Sequence, residues 1–565
     1  MNSHARRWKV AQPIPADVEQ ELFGYDPVLR QILYNRGLHT HKAAQMFLEA
    51  QFPTDNDPFI LLGMPEAAAR LHYAIQNGEK IAVYGDYDAD GVTATALLTQ
   101  VLIELGADVQ SYIPNRFDEG YGLNLDALDG LKTAGVNLVV TVDCGIRSLD
   151  EAEFAGKIGL DLIISDHHHP KTDLPAALAI INPKQDGDLY PEKNLAGVGL
   201  AFKIAEALHG GERFRVESYL DLVALGTVAD LVPLVGENRA LVRRGLDYLR
   251  SPVRQGVMSL IGAAGLQPGI INSSHIGYML GPRLNAAGRL DTALEALALL
   301  TTRDPGKAGE IAQKLDNQNR ERQRMTQLVQ QQAELLAFGS DPDALLLFAA
   351  HPDFNPGVVG LAASRLTEQY YRPAVVAYQG DEFSRASCRS IPEFHITEAL
   401  DQCADLLVRH GGHAAAAGFT VHNENLPELV ERLKDIAYSQ LAEVDLRPTL
   451  KADLEIPLVD LKPTILNSLE GIEPTGQENP RAVFVSRGLN VRRANRIGRD
   501  GSHLRLDVSD GQITYGAIAF QQGHWMEDMP QYIDLMYHFE LNEYNGRSAL
   551  QLNVIDLKPS GVSDD

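Results

Sequence analysis

The sequence predicts an α/β protein made of a parallel-sheet domain, a long bridging helix, a second α/β domain and a small C-terminal β-barrel. Three observations carry that prediction. From Lys80 onward short apolar runs alternate with helical patterns, the signature of parallel strands joined by right-handed crossovers. Between Leu315 and Met325 a helical apolar spacing is interrupted by nine consecutive polar residues. After Pro448 the pattern changes to short alternating segments separated by turns.

Composition sets the outer limits. With 565 residues and 45% hydrophobic side chains, the chain is long enough for three or four domains, each with its own core. Its three cysteines, Cys144, Cys388 and Cys403, supply neither a disulfide framework nor a cysteine-rich zinc site, which suits a reducing compartment. The basic opening, residues 1–10, is followed by no apolar signal-peptide core, and no run approaches a membrane span. The expectation is a soluble, cytoplasmic protein without a membrane partner. A net charge of −25 argues against a chain that coats nucleic acid with its whole surface, while leaving room for a local basic groove.

Residues 1–75 mix short helical patterns with prolines and read as an N-terminal cap. Residues 76–300 form the first α/β domain, with strands at 81–85, 109–113, 136–142 and 160–165 and helices at 92–105 and about 125–134. A further apolar stretch, 222–225, leads towards Asp230, and 294–300 reads as helix. Residues 301–338 are the connecting helix. Its polar stretch has no apolar face, which suits a solvent-exposed bridge between domains. Residues 339–445 form the second α/β domain, with strands at 344–349 and 374–378 and helices near 358–369 and 396–408. Residues 446–560 carry five strand patterns, at 483–486, 504–508, 514–520, 535–541 and 550–555. Five short strands in about a hundred residues suggest a small barrel of the OB-fold kind.

The chemistry starts where the run 81–85 leaves its strand, in Gly85-Asp-Tyr-Asp-Ala-Asp-Gly91. Asp86, Asp88 and Asp90 cannot all stay ionised comfortably without a cation between them. Hard oxygen ligands suit Mg²⁺ or Mn²⁺. A solvated acidic turn uses the same pattern, so the other strand ends have to decide. Residues 136–142 end in Asp143, 160–165 end in Asp166-His167-His168-His169, and 222–225 lead to Asp230. Parallel strands place these ends on one edge, where open α/β sheets hold their ligands. Such an edge can carry a two-metal centre that activates water and stabilises the leaving oxygen of a phosphoester.

Gly85-Asp-Tyr-Asp-Ala-Asp-Gly91, Val142-Asp-Cys-Gly145, Asp166-His-His168 and Leu225-Gly-Thr-Val-Ala-Asp-Leu-Val-Pro233 resemble, in order, the motifs of the DHH phosphoesterase superfamily. Gly281-Pro-Arg-Leu-Asn-Ala-Ala-Gly-Arg289, Gly357-Val-Val-Gly-Leu-Ala-Ala-Ser-Arg365, Ser387-Cys-Arg-Ser390 and Gly411-Gly-His-Ala-Ala-Ala-Ala-Gly418 resemble those of the RecJ family, bacterial exonucleases specific for single-stranded DNA. The resemblance implies a DHH domain, a DHH-associated second domain and two Mn²⁺ or Mg²⁺ ions. It implies that Asp88 and Asp90 each serve one ion, that Asp143 bridges both, and that His167 and Asp230 complete the second site. Asp86 is then either an extra ligand or a support for one. His168 is expected to face the scissile phosphate, with Asp143, His168 and His413 forming the catalytic set. Tyr84 stands where many superfamily members carry a histidine, and a phenol with an ordinary pKa of about 10 is a poor ligand near neutral pH. The expected consequence is a weaker first site, or one filled partly by water and Asp86.

The resemblance also implies a substrate-binding set: Arg116, Tyr121, Arg283, Asn285, Arg289, Ser387, Arg389, Ser390, Gly411, Gly412 and His413. Arg116, Ser387 and Arg389 match positions that hold the 5′-terminal phosphate. Arg389 between Ser387 and Ser390 offers a charged fork and two hydroxyls to such a phosphate. Gly411 and Gly412 let backbone N–H groups approach a phosphodiester, although Gly-Gly-His serves equally as a tight turn.

Arg481, Arg487, Arg492, Arg493, Arg496 and Arg499 fall in a window without one acidic residue, a reversal in so acidic a chain. A solvated basic loop is one reading. The other is a basic single-strand groove on the barrel, with Arg487, Arg492, Arg493 and Arg496 as its DNA-binding residues. The expected function is 5′→3′ exonuclease action on single-stranded DNA in recombination and repair, by a monomer partnered with single-strand-binding protein and a recombination helicase. The alternatives are a DHH phosphodiesterase acting on short oligonucleotides or cyclic dinucleotides, and a non-catalytic replication scaffold. The bridging helix and barrel argue against the first, and the retained Asp88, Asp90, Asp143, His167 and Asp230 against the second.

Overall fold

The structure, a computed structural model, describes residues 6–115, 119–120, 122–339, 341–544 and 547–562. Arg116 and Tyr121 lie outside the described residues. The chain divides into two compact units, one of Trp8–Gly288, Thr292–Leu315 and Lys451–Asp565, the other of Met1–Arg7, Arg289–Asp291 and Asp316–Leu450.

The first unit holds a parallel sheet in the order Asp108–Tyr112, Lys80–Gly85, Leu138–Val142, Asp161–Ser165, Ala179–Ile181. Lys80–Gly85 and Leu138–Val142 are apolar on both faces because helices cover both. Ile81 and Val83 share a core with Leu97, Val101 and Leu200, whereas Ala82 and Tyr84 share one with Leu128 and Leu131 on the other side. Gly85 pairs with Val142, so Asp86 and Asp143 leave the sheet side by side at its C-terminal edge. The apolar stretch before Asp230 is helix Leu220–Ala229, buried from every direction, as a helix without a polar face must be.

The same unit contains the barrel. Phe484–Ile497 pairs with His503–Ser509 and with Tyr532–Tyr544; Thr514–Ala519 pairs with His503–Ser509 and with Arg547–Pro559; and Arg547–Pro559 pairs with Tyr532–Tyr544, which closes five strands on themselves. Leu504, Leu506 and Val508 point into its core at the period of two that strands require. Ile32 and Leu33 of helix Pro27–Asn35 join that core, so part of the N-terminal segment belongs with the barrel. This contact spans more than four hundred residues of sequence and leaves no local trace.

In the second unit a five-stranded sheet runs Leu407–His413, Ala416–His422, Phe383–Arg389, Ala374–Gln379, Leu347–His351. The helix expected over 396–408 stops at Asp401, and Leu407–His413 is an antiparallel strand against Ala416–His422. Pairing along an available sheet edge outweighs the local helical spacing there. Helix Pro305–Phe338 is continuous, supported in its polar stretch by Asp316–Arg320 at 2.8 Å and Glu321–Arg324 at 2.6 Å. Asp316 and Asn319 are nevertheless buried, so the stretch is not solvated all round; polar character excludes an apolar contact but not a polar one.

Arg239 ties the parallel-sheet domain to the segment leading into the barrel. It is 1% exposed and lies 3.8 Å from the centre of the Phe47 ring. Its five N–H donors go to five carbonyls, those of Phe47, Gly471, Ile472, Glu473 and Pro474, at 2.7–3.0 Å. Arg239→Met keeps the stem and strands those acceptors, at a cost on the order of 3 kcal/mol. Urea unfolding of the full chain should show an earlier midpoint; an unchanged midpoint would mean that this clasp contributes nothing to stability.

Candidate metal centre

Each acidic side chain at the sheet edge is fixed by a different local device. Asp88 is the N-cap of helix Ala89–Glu104, its Oδ1 accepting the amides of Asp90 and Gly91 at 3.0 Å. Asp90 is buried and accepts the amides of Gly197 at 2.6 Å and Val198 at 2.8 Å, the first N–H groups of helix Gly197–Leu208. Asp143 sits at φ 64°, in the left-handed region, directly after its strand. Asp230 is the C-cap of helix Leu220–Ala229.

These devices bring the side chains together in three sets whose ligand atoms lie within 4.8 Å of one another: Asp86, Asp88 and Asp143; Asp90, His167 and Asp230; Asp143, His167 and His168. His167 Nε2 is 3.1 Å from Asp143, 3.5 Å from Asp230 and 3.9 Å from Asp90. Two glycines make room for this convergence. A Cβ on Gly197 would lie 2.6 Å from Asp143 Cβ, and one on Gly226 would lie 2.8 Å from an Asp90 oxygen.

The electrostatics follow from the burial. Desolvation, reinforced by Asp88, pushes Asp90 up to about 7. Desolvation, with Asp90 and Asp88 adding to it, pushes Asp230 up to about 9, and Asp143 rises well above the carboxylate range for the same reasons. Burial drives His167 down to about 3, so its imidazole is neutral and offers a lone pair. Among the described residues, Asp143 Oδ1 and both ring nitrogens of His167 have no hydrogen-bond partner. Buried polar atoms such as these, lacking partners and set where five carboxylates and an imidazole converge, are satisfied by cations. The donor set fits Mn²⁺ or Mg²⁺.

His168 is set differently. Its Nδ1 lies 2.7 Å from Asp166 Oδ1, which also accepts the His168 amide at 3.0 Å, while Asp166 Oδ2 accepts the amide of Ile146 at 2.9 Å. Burial opposes the charge on both, but their mutual hydrogen bond and attraction outweigh it, raising His168 and lowering Asp166. His168 also lines a cavity of about 400 Å³ with Gly145, Arg147 and Ser148. Tyr84 takes no part. It is buried on the other side of the sheet, donates to the Gly122 carbonyl at 3.0 Å, and burial pushes its pKa up. Asp86 stands with Asp88 and Asp143 instead.

The remaining sequence-derived residues separate by role. Asn285 accepts the Ala89 amide at 2.7 Å through its side-chain oxygen and so braces the metal loop. Arg283 donates to the Met279 carbonyl at 2.6 Å, and Arg289 to that of Gly357 at 3.3 Å. In the second unit, Ser387 and Arg389 share one face of their strand. A Cβ on Gly360, in the first turn of helix Val359–Tyr370, would lie 3.3 Å from Ser387 Oγ and 3.5 Å from Arg389 Nη2. A charged fork, a hydroxyl and a helix amino end therefore meet there. Ser390 is committed elsewhere, its hydroxyl donating to the Phe394 carbonyl at 2.6 Å. Gly411, Gly412 and His413 end an exposed strand, with Gly412 at φ 149° beside Ala417.

On the barrel, acidic residues from other segments neutralise part of the basic window. Arg481 pairs with Glu540, Arg487 with Glu455 and Asp534, and Arg496 with Glu527. Arg492 and Arg493 stay exposed on Phe484–Ile497. The sequence reading missed the amides of Gly197 and Val198, the Asp166–His168 pair and the bracing role of Asn285. Only Asp166, first in its acid-histidine run, carried a readable signal.

Since Asp90 and Asp230 hold protons near neutral pH that a cation must displace, Mn²⁺ binding should release protons and tighten as pH rises from about 6 to 8. Calorimetry in buffers of different ionisation enthalpy reads this directly; binding without proton release would contradict the raised carboxyl groups.

Comparison with known proteins places this geometry. Residues 80–227 match the DHH family, N-terminal domain, residues 343–439 the DHHA1 domain and residues 452–556 the RecJ OB domain. The chain is 38% identical over 556 residues to the single-stranded-DNA-specific exonuclease RecJ of Bacillus subtilis, covering 97% of this chain and 70% of that protein. It is 33% identical over 573 residues to the protein of that name from Salmonella typhimurium, covering 97% of each. Its fold matches crystal structures of Thermus thermophilus RecJ, in complex with Mn²⁺ at a TM-score of 0.85 and with Mg²⁺ at 0.79, both at 31% identity; the Mn²⁺ comparison covers 98% of this chain and 80% of that one. With such identity along nearly its whole length, the chain belongs to the RecJ family of single-stranded-DNA-specific exonucleases.

Proposed function

We propose that this chain is a metal-dependent exonuclease that hydrolyses single-stranded DNA from the 5′ end by two-metal-ion phosphodiester cleavage. The observation that carries this reading is the pair of ligand sets, Asp86–Asp88–Asp143 and Asp90–His167–Asp230, joined by the 3.1 Å approach of His167 to Asp143. Two divalent ions held there would acidify an attacking water and neutralise charge on the leaving oxygen. The chain's own groups do the rest. Asp88 and Asp90 are locked by backbone amides, so neither reorganises when substrate arrives. His168, held by Asp166 and raised towards its charged form, can donate a hydrogen bond or a proton to a phosphoryl oxygen. His413, on its glycine-flanked strand end, is assigned to the phosphodiester.

Polarity needs a group that distinguishes one end of the strand. Ser387, Arg389 and the amino end of helix Val359–Tyr370 suit a terminal phosphate; Arg116 is assigned to the same end of the substrate, and Tyr121 to substrate binding. Arg492 and Arg493 are assigned to the strand beyond the active site. The reading further includes a monomer acting in the cytoplasm in recombination and repair, with single-strand-binding protein and a recombination helicase as partners. No described helix is long and apolar enough to cross a membrane.

Asp143→Ala should abolish hydrolysis of end-labelled single strands while binding stays measurable, and near-normal cutting would end the two-metal reading. Arg389→Ala should lose about 1.5–3 kcal/mol of terminal recognition and with it any preference for 5′-phosphate over 5′-hydroxyl substrate. If the preference survives, the phosphate pocket lies elsewhere. Replacing Arg492 and Arg493 with alanine should flatten the log-affinity against log-salt slope by roughly 0.7 for each lost contact. Digestion of long strands should shorten while turnover of a very short oligonucleotide holds; equal loss on both would move these arginines to the active site.

A further inference from the structure

The metal centre contains a histidine whose orientation no side-chain partner explains. Ligating histidines are ordinarily aimed by a hydrogen bond from the second ring nitrogen to a carboxylate or carbonyl. His167 is 6% exposed, and neither Nδ1 nor Nε2 has a hydrogen-bond partner among the described residues. Its ring touches that of His168, with centres 4.5 Å apart, and beyond that contact no side-chain hydrogen bond fixes it, which leaves the backbone to aim it.

The backbone at this point is irregular, because His167 and His168 follow the end of Asp161–Ser165 and belong to no helix or strand. Their two carbonyls are both taken by one short segment, Asn182-Pro183-Lys184, which follows the edge strand Ala179–Ile181. Asn182 Nδ2 donates to the His168 carbonyl at 2.9 Å, and Lys184 Nζ donates to the His167 carbonyl at 2.6 Å. The two clamp residues are themselves joined, since Asn182 Oδ1 accepts the Lys184 amide at 2.8 Å. The strand end is anchored too, with the Asp166 amide donating to the Ile181 carbonyl at 3.1 Å. Asn182 is fully buried. Lys184 is partly exposed, and its ammonium keeps two further donors beyond the one given to His167.

We propose that Asn182 and Lys184 are positioning residues of the metal centre, clamping successive peptide groups so that His167 faces Asp143 and Asp230. The edge strand, which supplies no ligand, thereby acquires a function. Burial lowers the pKa of this lysine, and attraction to Asp230 and Asp166 partly offsets that, so its ammonium is coupled to the carboxylates of the centre. The inference rests on the metal-centre reading above but not on the nature of the substrate.

The test uses the full chain and Mn²⁺ alone, titrated by calorimetry, with kcat and KM on a short single-stranded oligonucleotide measured in parallel. Lys184→Met removes the donor and the charge while keeping the stem. It should weaken Mn²⁺ binding by about tenfold or more and lower kcat with KM unchanged, and Lys184→Arg should recover much of both. Mn²⁺ affinity unchanged in Lys184→Met, whether or not thermal stability falls, would overturn the proposal and leave Lys184 a fold residue. A raised KM with Mn²⁺ binding intact would overturn it too, by making the lysine a direct contact to the strand. Asn182→Ser, read by the same titration, tests the other arm should Lys184→Met fold poorly. A wild-type chain that binds Mn²⁺ but cuts no single strand would defeat the proposed function while leaving the clamp testable by titration.

Discussion

The carboxylate of Asp90 is received by two backbone N–H groups, and the rest of the centre is arranged around that contact. Asp90 lies in the first turn of the helix that follows Lys80–Gly85, and Gly197 starts a helix about a hundred residues later. The contact brings the amino ends of both helices to one point at the sheet edge. Because Gly197 has no side chain, Asp143 can approach from the neighbouring strand, and Gly226 opens the third side for the helix that ends in Asp230. Helix amides partly offset the charge of Asp90 and of Asp88, whereas among the described residues no amide reaches the carboxylates of Asp143 and Asp230. The fold therefore concentrates more negative charge than its own donors can satisfy, a condition that a divalent cation relieves.

The same constraint explains how the chain uses its cations elsewhere. Arg239 carries a buried charge and spends every donor on carbonyls, holding the segment before the barrel. Three of the barrel arginines are consumed by carboxylates of the barrel's own surroundings. Among the described residues Arg492 and Arg493 are exposed and form no ion pair with a carboxylate, so their charge is not offset in that way. In a chain of net charge −25 this economy matters, since a strand of DNA is repelled everywhere except where positive charge is left over.

Much of this was legible in the sequence because the relevant signals are short and local. Apolar runs ending in Asp86, Asp143 and Asp166 mark strand ends, and parallel topology then forces those ends onto one edge. The barrel was legible for the same reason, as strands advertise themselves by alternation. What escaped was carried by distant contacts. Nothing near Gly197 announces that its amide meets Asp90, and nothing in Asn285 distinguishes a brace for Ala89 from a substrate contact. The strand Leu407–His413 was hidden beneath a helical spacing that sheet pairing overrode. The basic window of the barrel looked unopposed because Glu455, Asp534 and Glu540 lie on other segments. Tyr84 looked like a defective ligand, whereas it faces the opposite side of the sheet and leaves the first ligand set to Asp86.

These residues are expected to hold two ions in adjoining ligand sets sharing Asp143, and anomalous diffraction from crystals soaked in Mn²⁺ locates such ions. Two peaks should appear in this domain, one among Asp86, Asp88 and Asp143 and one among Asp90, His167 and Asp230, with Asp143 within reach of both. A single peak, or peaks away from these side chains, would contradict this arrangement.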